Sequence, residues 1–564
     1  MKHFAMSPQT ALARILAFHG VRRAVVSPGS RDASIIEAFE ASGDFEIMRV
    51  VDERAAGFVA LGMASVTGYP VVLVCTSGTA LLNYAPAVAE AYYREMPLVV
   101  VSADRPAEWI DQNDSQTLRQ PGVLANFVKA SYTIGGTDSA DTPWAVNRVL
   151  NDAMLTALTD VRGPVHINVH LPDCAAEDVD FSESDDEMRI IEMLPSRRDI
   201  TYNDAGRLAR IVADTRKVMV VCTCHTPDNA LNKALNTLAT RDNVIVVAER
   251  VANVQGRHVI YSPETVIASH DSSLLETMAP ELLITIGGAP ISGRLKAFLR
   301  KYRPEQHWNI GYTRAVTDCY QSLTLRIEAD PAMVISRVAA IASKLPTQSD
   351  YFMKWNIAAG RTESLTQAYA ARAPWSDFKA VDFIAHHIPA RWNVQLSNGT
   401  SVRYFEFLAA GRYHRVDCNR GVSGIDGSTS TAVGASLVYN DTTLLITGDM
   451  SASYDLSGLT LMAEAPRLKL IVLCNGGGNI FRIIRATRSL SVREPYLASM
   501  PTLPLPELAG AYGLSYYEAA DEVALKSAWS DFVKDDNPAL LAVVTEPDVS
   551  SRIFTDYFAF LKNK

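Results

Sequence analysis

Two loops in the last third of the chain carry oxygen-bearing residues that could bind a metal ion together. The first loop holds Gly448 and Asp449 after an apolar run, and the second, in VLCNGGGNIF, holds Asn475 and Gly477 after the next apolar run. Neighbouring parallel strands would bring these loops side by side, and a carboxylate, an amide oxygen and a backbone carbonyl suit Mg²⁺. The backbone of residues 450–453, at a predicted helix start, could hold a phosphate group. The alternative is two ordinary turns, in which Asp449 caps a helix and the glycines turn the chain.

An acidic pair, Asp52-Glu53, raises a second question of chemistry. It follows the run MRVV and precedes a helix of mostly small and apolar residues. A carboxylate where a sheet ends and a helix packs down lies in a dry environment, where an unpaired charge is costly. Either the charge is paired there, or the acid has a catalytic task. The non-catalytic alternative is an acid at a helix N-terminus that is stabilised by the helix dipole, and Asp52 suits this role better than Glu53.

Short apolar runs alternate with longer amphipathic segments along nearly the whole chain, which is typical of parallel α/β domains. The first helix is expected to begin at Pro8, with Ser7 as its N-cap. The strands predicted from these runs span residues 22–27, 46–51, 70–75, 97–102, 164–169, 217–222, 243–248, 281–288, 307–311, 324–329, 392–399, 414–421, 443–449, 468–478 and 539–546.

The predicted elements fall into three α/β units, and we expect domains at residues 1–182, 195–343 and 351–564. Residues 173–188 and 343–350 are predicted to be linkers, the first of them acidic and exposed. Ligands of parallel sheets bind beyond the carboxyl ends of the strands. The loops that follow the strands are therefore where a site is expected.

The composition argues against several classes of protein. The chain has 564 residues, too many for one core, and is 48% hydrophobic and 20% charged. A net charge of −9 argues against nucleic acid as a partner. No apolar run approaches the roughly 20 residues of a membrane span, so no stable membrane insertion is expected. Seven scattered cysteines indicate reduced thiols and a cytoplasmic location. For Cys222-Thr-Cys224-His225 a strand end is favoured over a metal site, because no second ligand pair follows at suitable spacing.

With these motifs the chain resembles the thiamine diphosphate (ThDP) enzymes. The turn at Asp449 and the later Asn475 match that family's metal and diphosphate signature, although Met450 replaces its last glycine and Cys474 its first asparagine. The resemblance implies three parallel-sheet α/β domains. The first would bind the pyrimidine, the second is a central α/β domain, and the third would bind the diphosphate. It also implies ThDP and Mg²⁺ as cofactors, with Mn²⁺ as an alternative metal.

The same resemblance gives the acidic pair a role. Glu53 matches the family's glutamate that faces the aminopyrimidine ring of the cofactor, where a carboxylic acid in an apolar slot can share a proton with the ring. Ile425, in GVSGIDG, matches the apolar residue that props the cofactor into a bent shape. The cofactor-binding residues implied in this way are Glu53, Ile425, Gly448, Asp449, Met450, Ser451, Asn475, Gly477 and Ile480, and the metal ligands are Asp449, Asn475 and Gly477.

More specific motifs resemble one family of ThDP enzymes, the 2-succinyl-5-enolpyruvyl-6-hydroxy-3-cyclohexene-1-carboxylate (SEPHCHC) synthases of menaquinone biosynthesis. These motifs are SPGSR (27–31), TSGTA (76–80), SADRP (102–106), LRQPG (118–122), NRGVSGIDG (419–427), GDMSASYDL (448–456) and GGNIF (477–481). The family implies a transferase that decarboxylates 2-oxoglutarate and adds the succinyl carbanion to isochorismate. It further implies a homodimer or homotetramer with active sites at the subunit interface.

Both of these substrates are dianions, so the pocket must supply positive charge, for which arginine is well suited. The resemblance implies that Arg403 and Arg420 bind the succinyl carboxylate, and that Ser30, Arg31 and Arg105 bind isochorismate. It also places Arg294, from the middle domain, and Gln116 among the substrate-binding residues. Phe481 and Ile484 would form an apolar wall beside Ile480. Gln116 is also implied as a catalytic residue that hydrogen-bonds the adduct or the substrate. Taken singly, each arginine is more often part of a surface ion pair, which contributes little.

The chain departs from the family pattern at three substrate positions. Arg294 stands where the family has lysine, so Lys296 is a rival for that contact. Gly399 stands where a serine would help to hold a carboxylate, and a neighbouring hydroxyl could substitute. Ser115 replaces an asparagine.

Three other functions remain open at this point. Another ThDP enzyme, such as an acetolactate synthase, a 2-oxoacid decarboxylase or a flavin-dependent oxidase, is the nearest alternative. A dinucleotide-binding oxidoreductase would suit parallel sheets, but no GxGxxG opens a helix after a strand. A catalytically inactive homologue is the third, and the presence of Glu53, Asp449 and Asn475 argues against it.

Overall fold

A computed structural model of the chain describes residues 7–135, 142–171, 188–194, 196–409, 411 and 413–564. Of the predicted acidic linker at 173–188, all but the last residue lies outside the described residues. The described chain forms three six-stranded sheets, and every strand pair in them is parallel. The predicted α/β fold with three parallel sheets is therefore confirmed.

The first sheet is built from the N-terminal third of the chain. Its strands are β1 (Arg23–Ser27), β2 (Glu46–Arg49), β3 (Val71–Cys75), β4 (Leu98–Asp104), β5 (Ser131–Ile134) and β6 (Val165–His170). Its helices are α1 (Pro8–Phe18), α2 (Ala33–Ser42), α3 (Glu53–Thr67), α4 (Ala80–Asn83), α5 (Ala85–Tyr93) and α6 (Pro143–Leu158). The strand order is β2-β1-β3-β4-β6-β5. Ser7 caps α1 as predicted, because its side chain accepts the Thr10 N–H.

The middle sheet has the order β12-β11-β10-β7-β8-β9. Its strands are β7 (Val218–Cys222), β8 (Val244–Ala248), β9 (Val259–Tyr261), β10 (Leu282–Ile286), β11 (Gln306–Ile310) and β12 (Leu325–Ile327). The helices of this region are α7 (Tyr202–Asp214), α8 (Asn229–Leu238), α9 (Pro263–Ala268), α10 (Ser272–Met278), α11 (Gly293–Lys301), α12 (Pro331–Ala342) and α13 (Tyr351–Arg372).

Cys222 ends a strand of this middle sheet, as its motif predicted. Beyond β7 and β10, where the strand order reverses, Thr223 Oγ1 donates to the Gly288 carbonyl at 2.6 Å, and the Gly288 N–H donates to the Cys224 carbonyl at 2.9 Å. The loops that border the crevice in which an open α/β sheet binds its ligand are thus hydrogen-bonded to each other here.

The last sheet has the order β14-β13-β15-β16-β18-β17. Its strands are β13 (Asn393–Leu396), β14 (Arg415–Cys418), β15 (Thr443–Gly448), β16 (Leu468–Cys474), β17 (Ser515–Ala519) and β18 (Ala539–Val544). Its helices are α14 (Asp377–His387), α15 (Thr400–Leu408), α16 (Ser428–Val438), α17 (Asp449–Tyr454), α18 (Leu456–Leu461), α19 (Ile480–Ile483), α20 (Leu505–Ala511), α21 (Glu522–Lys534) and α22 (Pro547–Lys562). Counted along the chain, this is the strand order of the first sheet.

The described chain divides into two compact units. The first unit joins the first sheet and its helices to residues 421–440 and 454–465, and the second holds the other two sheets. In the first unit α3 packs so closely on α16 that there is no room for a side chain at two glycines. A side chain at Gly62 would overlap the Thr431 carbonyl, and one at Gly434 would overlap the Val59 carbonyl. Among the helices of the described residues, none has the length and apolar character to cross a membrane.

Candidate active site at the strand ends

The predicted metal ligands follow β15 and β16, which are hydrogen-bonded neighbours in the last sheet. Asp449 begins α17, and its carboxylate accepts the Gly477 N–H at 2.9 Å and the Met450 N–H at 2.8 Å. One acid therefore ties the two loops together. Gly477 has a φ of +117°, and a side chain there would overlap the Ala498 carbonyl, so only glycine fits.

Asn475 carries an unused acceptor beside this acid. Its Nδ2 donates to Asp377 Oδ2 at 2.6 Å, whereas its buried Oδ1 has no hydrogen-bond partner among the described residues. Burial raises the pKa of Asp449 to about 6, which a nearby cation would oppose. A buried oxygen without a partner costs free energy unless a ligand satisfies it. The donor set of Asp449, Asn475 and the Gly477 carbonyl therefore fits a bound Mg²⁺ or Mn²⁺.

The other predicted cofactor residues of the last sheet flank these ligands. Gly448 ends β15, and Met450 and Ser451 lie in the first turn of α17. Ile480 and Phe481 are half-buried on the short helix α19, whereas Ile484, just after it, is exposed. The apolar wall predicted from these last three residues thus lies on one short segment after the Asn475 loop.

The two acids at the start of α3 have different partners. Asp52 is the N-cap, because one carboxylate oxygen accepts the N–H groups of Arg54 and Ala55 at 2.9 and 3.3 Å, while the other accepts Ser457 Oγ at 2.5 Å. The helix-terminal role predicted for Asp52 is thereby confirmed. Glu53, half-buried as the first residue of α3, has a carboxylate without a hydrogen-bond or ion-pair partner among the described residues.

Glu53 belongs to a group of acids at the strand ends of the first sheet. Burial raises the pKa of Asp32 to about 7, and the negative charge of Glu53 adds to that rise. Oδ1 of Asp32 accepts the Gly29 N–H at 2.9 Å, and its Oδ2 has no partner among the described residues. Ile425, the predicted cofactor prop, is half-buried in the same unit.

Two of the predicted substrate arginines meet at the end of β4. The Arg105 N–H donates to Asp104 Oδ1 at 2.8 Å, and the Arg105 guanidinium pairs with Asp114 at 3.0 Å. Arg31 is buried and donates to the Leu171 carbonyl at 3.4 Å. Burial raises the pKa of Asp104, and the positive charge of Arg31 is among the effects that oppose the rise. Asp104 therefore interacts with the backbone of Arg105 and with the charge of Arg31.

The loop that bears Gln116 is held at the same edge of the sheet by Gln120. The buried Gln120 side chain accepts the Gly78 N–H at 2.7 Å and donates to the Ala103 carbonyl at 3.1 Å. Gln116 itself is exposed, with a φ of +54° that is uncommon for a residue with a side chain. Ser30 is exposed on the loop after β1.

The predicted pair for the succinyl carboxylate also converges. Arg403, on α15, donates to the Gly399 carbonyl, and Arg420, after β14, donates to Asn398 Oδ1 at 2.9 Å. Burial first, and then the positive charge of Arg420, lower the pKa of Arg403. Gly399 has a φ of +108°, a conformation that would strain a serine, so the departure from the family pattern has a backbone reason.

Arg294 contacts two residues that line a cavity together with Arg403. Its Nε is 3.1 Å from Glu264 Oε1, and its guanidinium lies 4.5 Å from the centre of the Phe558 ring. Glu264 and Phe558 line a cavity of about 50 Å³ together with Arg403. The charge of Lys296 acts instead on the Cys319 thiol, whose pKa it lowers against the stronger effect of burial.

Sequence reasoning missed several residues of these strand ends. Asp377, which holds Asn475, begins a helix after a capping serine, so its sequence context indicated only a helix start. Thr76 and Ser77 lie in the TSGTA motif that drew attention to their loop. Their buried hydroxyls have no partner among the described residues, a property that the sequence pattern does not display.

Known proteins resemble the chain over nearly its whole length. A family model described as thiamine pyrophosphate enzyme, N-terminal TPP binding domain, matches residues 6–123. Three curated relatives carry the name 2-succinyl-5-enolpyruvyl-6-hydroxy-3-cyclohexene-1-carboxylate synthase. The protein from Porphyromonas gingivalis is 37% identical over 98% of this chain and 97% of its own length. That from Flavobacterium psychrophilum is 35% identical over 96% of both chains, and that from Cytophaga hutchinsonii 33% identical over 97% of both.

Proposed function

The chain belongs to the SEPHCHC synthases, ThDP-dependent transferases of menaquinone biosynthesis, and from that membership we propose its reaction. In this proposal it decarboxylates 2-oxoglutarate and adds the succinyl unit to isochorismate, which gives SEPHCHC. The observation that carries the proposal is the buried, unpartnered Asn475 Oδ1 beside Asp449, in a chain whose relatives bear that name.

The metal end would anchor the cofactor. Asp449, Asn475 and the Gly477 carbonyl would hold Mg²⁺, or Mn²⁺ in its place, with room for diphosphate oxygens. Gly448, Met450 and Ser451 surround the first of these ligands and would contact the diphosphate. When bound, ThDP supplies the carbon nucleophile that attacks the keto group of 2-oxoglutarate and accepts the electrons left when CO₂ departs.

Glu53 would hold and move the proton on which that chemistry depends. Asp52 takes over the capping of α3 and the bond to Ser457, which leaves the Glu53 carboxyl without a structural task among the described residues. The half-buried Glu53 carboxyl is therefore the acid proposed to share a proton with a ring nitrogen of the cofactor. Ile425 would support the bent cofactor, and Gln116 would hydrogen-bond the reacting groups.

The arginines would orient the two dianionic substrates. Arg403 and Arg420 lie together and would bind the succinyl carboxylate of 2-oxoglutarate through charge-assisted hydrogen bonds, with Arg294 nearby. Arg31 and Arg105, which both interact with Asp104, one through its charge and the other through its backbone N–H, would bind isochorismate together with Ser30. Ile480, Phe481 and Ile484 would shield the reacting carbon atoms from water.

Two further features belong to the proposal. The enzyme would act as a homo-oligomer, a dimer or a tetramer, whose active sites lie where subunits meet. It would work in the cytoplasm, as the scattered cysteines of the sequence indicate.

One assay tests the proposed reaction. The purified protein is incubated with ThDP, Mg²⁺, 2-oxoglutarate and isochorismate, and the loss of isochorismate absorbance is followed while the product is identified by mass. We expect turnover that requires both cofactors and both substrates. Acetolactate formation from pyruvate, or a bound flavin in the absorption spectrum, would favour another ThDP enzyme. Binding of ThDP and Mg²⁺ in calorimetry without turnover of any 2-oxoacid would indicate an inactive homologue.

A further inference from the structure

A buried carboxylate, Asp377, lies behind the loop that carries Asn475. It is the first residue of α14 and is fully buried. Its Oδ2 accepts Asn475 Nδ2 at 2.6 Å and, at 3.5 Å, Asn479 Nδ2. Its Oδ1 accepts Thr545 Oγ1 at 2.6 Å. Both carboxylate oxygens of Asp377 therefore accept hydrogen bonds from residues that follow strands of the last sheet, and none of these donors is positively charged.

The direction of these hydrogen bonds is set by a closed ring of donors. The Asp377 N–H donates to Ser550 Oγ at 3.0 Å, and Ser550 Oγ donates to Thr545 Oγ1 at 3.3 Å. The Thr545 proton is thereby directed to the Asp377 carboxylate. In the structure both oxygens of Asp377 act as acceptors. An asparagine amide that donates to this acid presents its NH₂ group to it and turns its oxygen to the opposite side.

The two asparagines of the loop show the consequence. Asn475 and Asn479 are both buried, both point their Nδ2 at Asp377, and the Oδ1 of each has no hydrogen-bond partner among the described residues. Without Asp377 the Asn475 amide could rotate by half a turn and offer NH₂ where a cation needs oxygen. Two orphaned amide oxygens around one acid indicate that the acid fixes which atom faces the loop.

We propose that Asp377 is a positioning residue for the metal site: it locks the Asn475 amide so that Oδ1, and not Nδ2, faces the ion. The inference rests on the proposed function, because it assumes that Asn475 is a metal ligand. Partners behind a ligand commonly fix its orientation, and their loss weakens metal affinity by about 10- to 100-fold. Asp377 would never touch the metal, the cofactor or the substrates.

The test uses a pair of substitutions that exchange the two side chains. In Asp377→Asn, residue 377 gains a donor, so the Asn475 amide is no longer forced into one orientation. In the double variant Asp377→Asn with Asn475→Asp, the new asparagine can donate to one oxygen of the new aspartate and leave the other for the metal. The double variant also keeps the net charge. Asp382→Asn is the matched control, since Asp382 lies on the same helix and faces His386.

The measured quantity is the dissociation constant of Mn²⁺ in the presence of saturating ThDP, from the paramagnetic resonance signal of free Mn²⁺. The thermal midpoint of each metal-free variant is measured alongside to show that it folds. We expect Mn²⁺ to bind about 10- to 100-fold more weakly to Asp377→Asn. The double variant should regain most of that affinity, and Asp382→Asn should bind like the wild type.

Two results would overturn the inference. One is an Asp377→Asn variant that binds Mn²⁺ as tightly as the wild type. The other is a double variant that fails to fold or binds no better than Asp377→Asn. Either result, with Mn²⁺ bound normally by the wild type, leaves the proposed function standing. A wild type that binds no Mn²⁺ together with ThDP would remove the metal site and the proposed function at once.

Discussion

The first and last sheets share one strand order and differ in what their strand ends carry. Equivalent loops follow β1 and β13, and each of them leads to an arginine, Arg31 in the first sheet and Arg403 in the last. After β3 come the hydroxyls of Thr76 and Ser77, whereas after the equivalent β15 comes the acid Asp449. The same framework thus presents different chemistry, and the residue types in the loops decide which.

The polar groups at the two sets of strand ends are also satisfied differently. In the last sheet the Asp449 carboxylate is bonded to the backbone of the neighbouring loop, and the Asn475 amide is held by Asp377. In the first sheet the Thr76 and Ser77 hydroxyls have no hydrogen-bond partner among the described residues. The Asp449 carboxylate is therefore held by the fold, and each set of strand ends keeps hydrogen-bonding capacity for a ligand, through Asn475 Oδ1 in the last sheet and through the two hydroxyls in the first.

The largest expected effect distinguishes Glu53, at the strand ends of the first sheet, from the proposed metal ligands of the last sheet. Glu53→Gln keeps the size of the side chain but cannot carry the proton, so the turnover number should fall by about 10²- to 10⁴-fold. The dissociation constant of Mn²⁺ should stay unchanged, because the proposed ligands lie in the other sheet. Full activity in Glu53→Gln would remove the proposed proton route.

The equivalent arginines of the two sheets should divide the two substrates between them. Arg403→Ala should raise the KM for 2-oxoglutarate about tenfold to a hundredfold, since a charge-assisted hydrogen bond is lost, and change the KM for isochorismate less. Arg31→Ala should show the reverse preference. Steady-state kinetics with each substrate varied in turn measures both. Equal effects of one substitution on the two substrates would reject the assignment of that arginine.

The interior strands of each sheet were predictable from sequence, and so was one of its two edge strands, whereas the other edge strand was not. The predicted runs contain the central strands, such as β3, every residue of which is buried and apolar. The strands that the sequence patterns missed are β5, β9 and β17, and each lies at an edge of its sheet. An edge strand such as SYTI (131–134) has a partner on one side only and is half exposed. It therefore needs no continuous apolar run, and periodicity gives little signal.

The site shows the same limit in another form. That Asp449 and Asn475 lie at the ends of neighbouring strands was predictable, because the two apolar runs before them are consecutive in the chain. Asp377 was not, because its contact with Asn475 joins parts of the chain that are distant in sequence and meet only in the fold. Gly399 departs from the family pattern, which has a serine at this position. The sequence does not show why, whereas the structure shows that Gly399 has a positive φ.

The helices α2 and α15 follow equivalent strands of the first and last sheets, and each carries a glutamate. The two glutamates are expected to differ in how they affect the pH dependence of stability. Burial and the charge of Glu249 raise the pKa of Glu406, on α15, from 4.5 to about 8. Between these values the folded protein holds a proton that the unfolded chain has released, so the free energy of unfolding decreases as the pH rises. Glu406→Gln removes this contribution to the pH dependence of the free energy of unfolding, which amounts to at most about 1.4 kcal/mol per pH unit.

Urea unfolding of the wild type and of Glu406→Gln at several values between pH 5 and pH 8 measures the difference. The midpoint of the variant should fall less steeply with rising pH than that of the wild type. Glu37→Gln is the matched control, because Glu37 is exposed on α2 and its loss should leave the midpoint unchanged. An identical pH dependence in wild type and Glu406→Gln would show that burial of this acid does not govern stability in that range.

The smallest expected effect concerns the neighbour of Glu53. Asp52→Ala removes the N-cap of α3 and the bond to Ser457, so it should lower the free energy of unfolding by about 1 kcal/mol. Asp52→Asn keeps an oxygen for the first N–H groups of the helix and should cost less. Urea midpoints measure both, and activity is assayed beside them. Activity that falls in Asp52→Asn as far as in Glu53→Gln would mean that catalysis needs both acids, and the division of roles at the start of α3 would have to be given up.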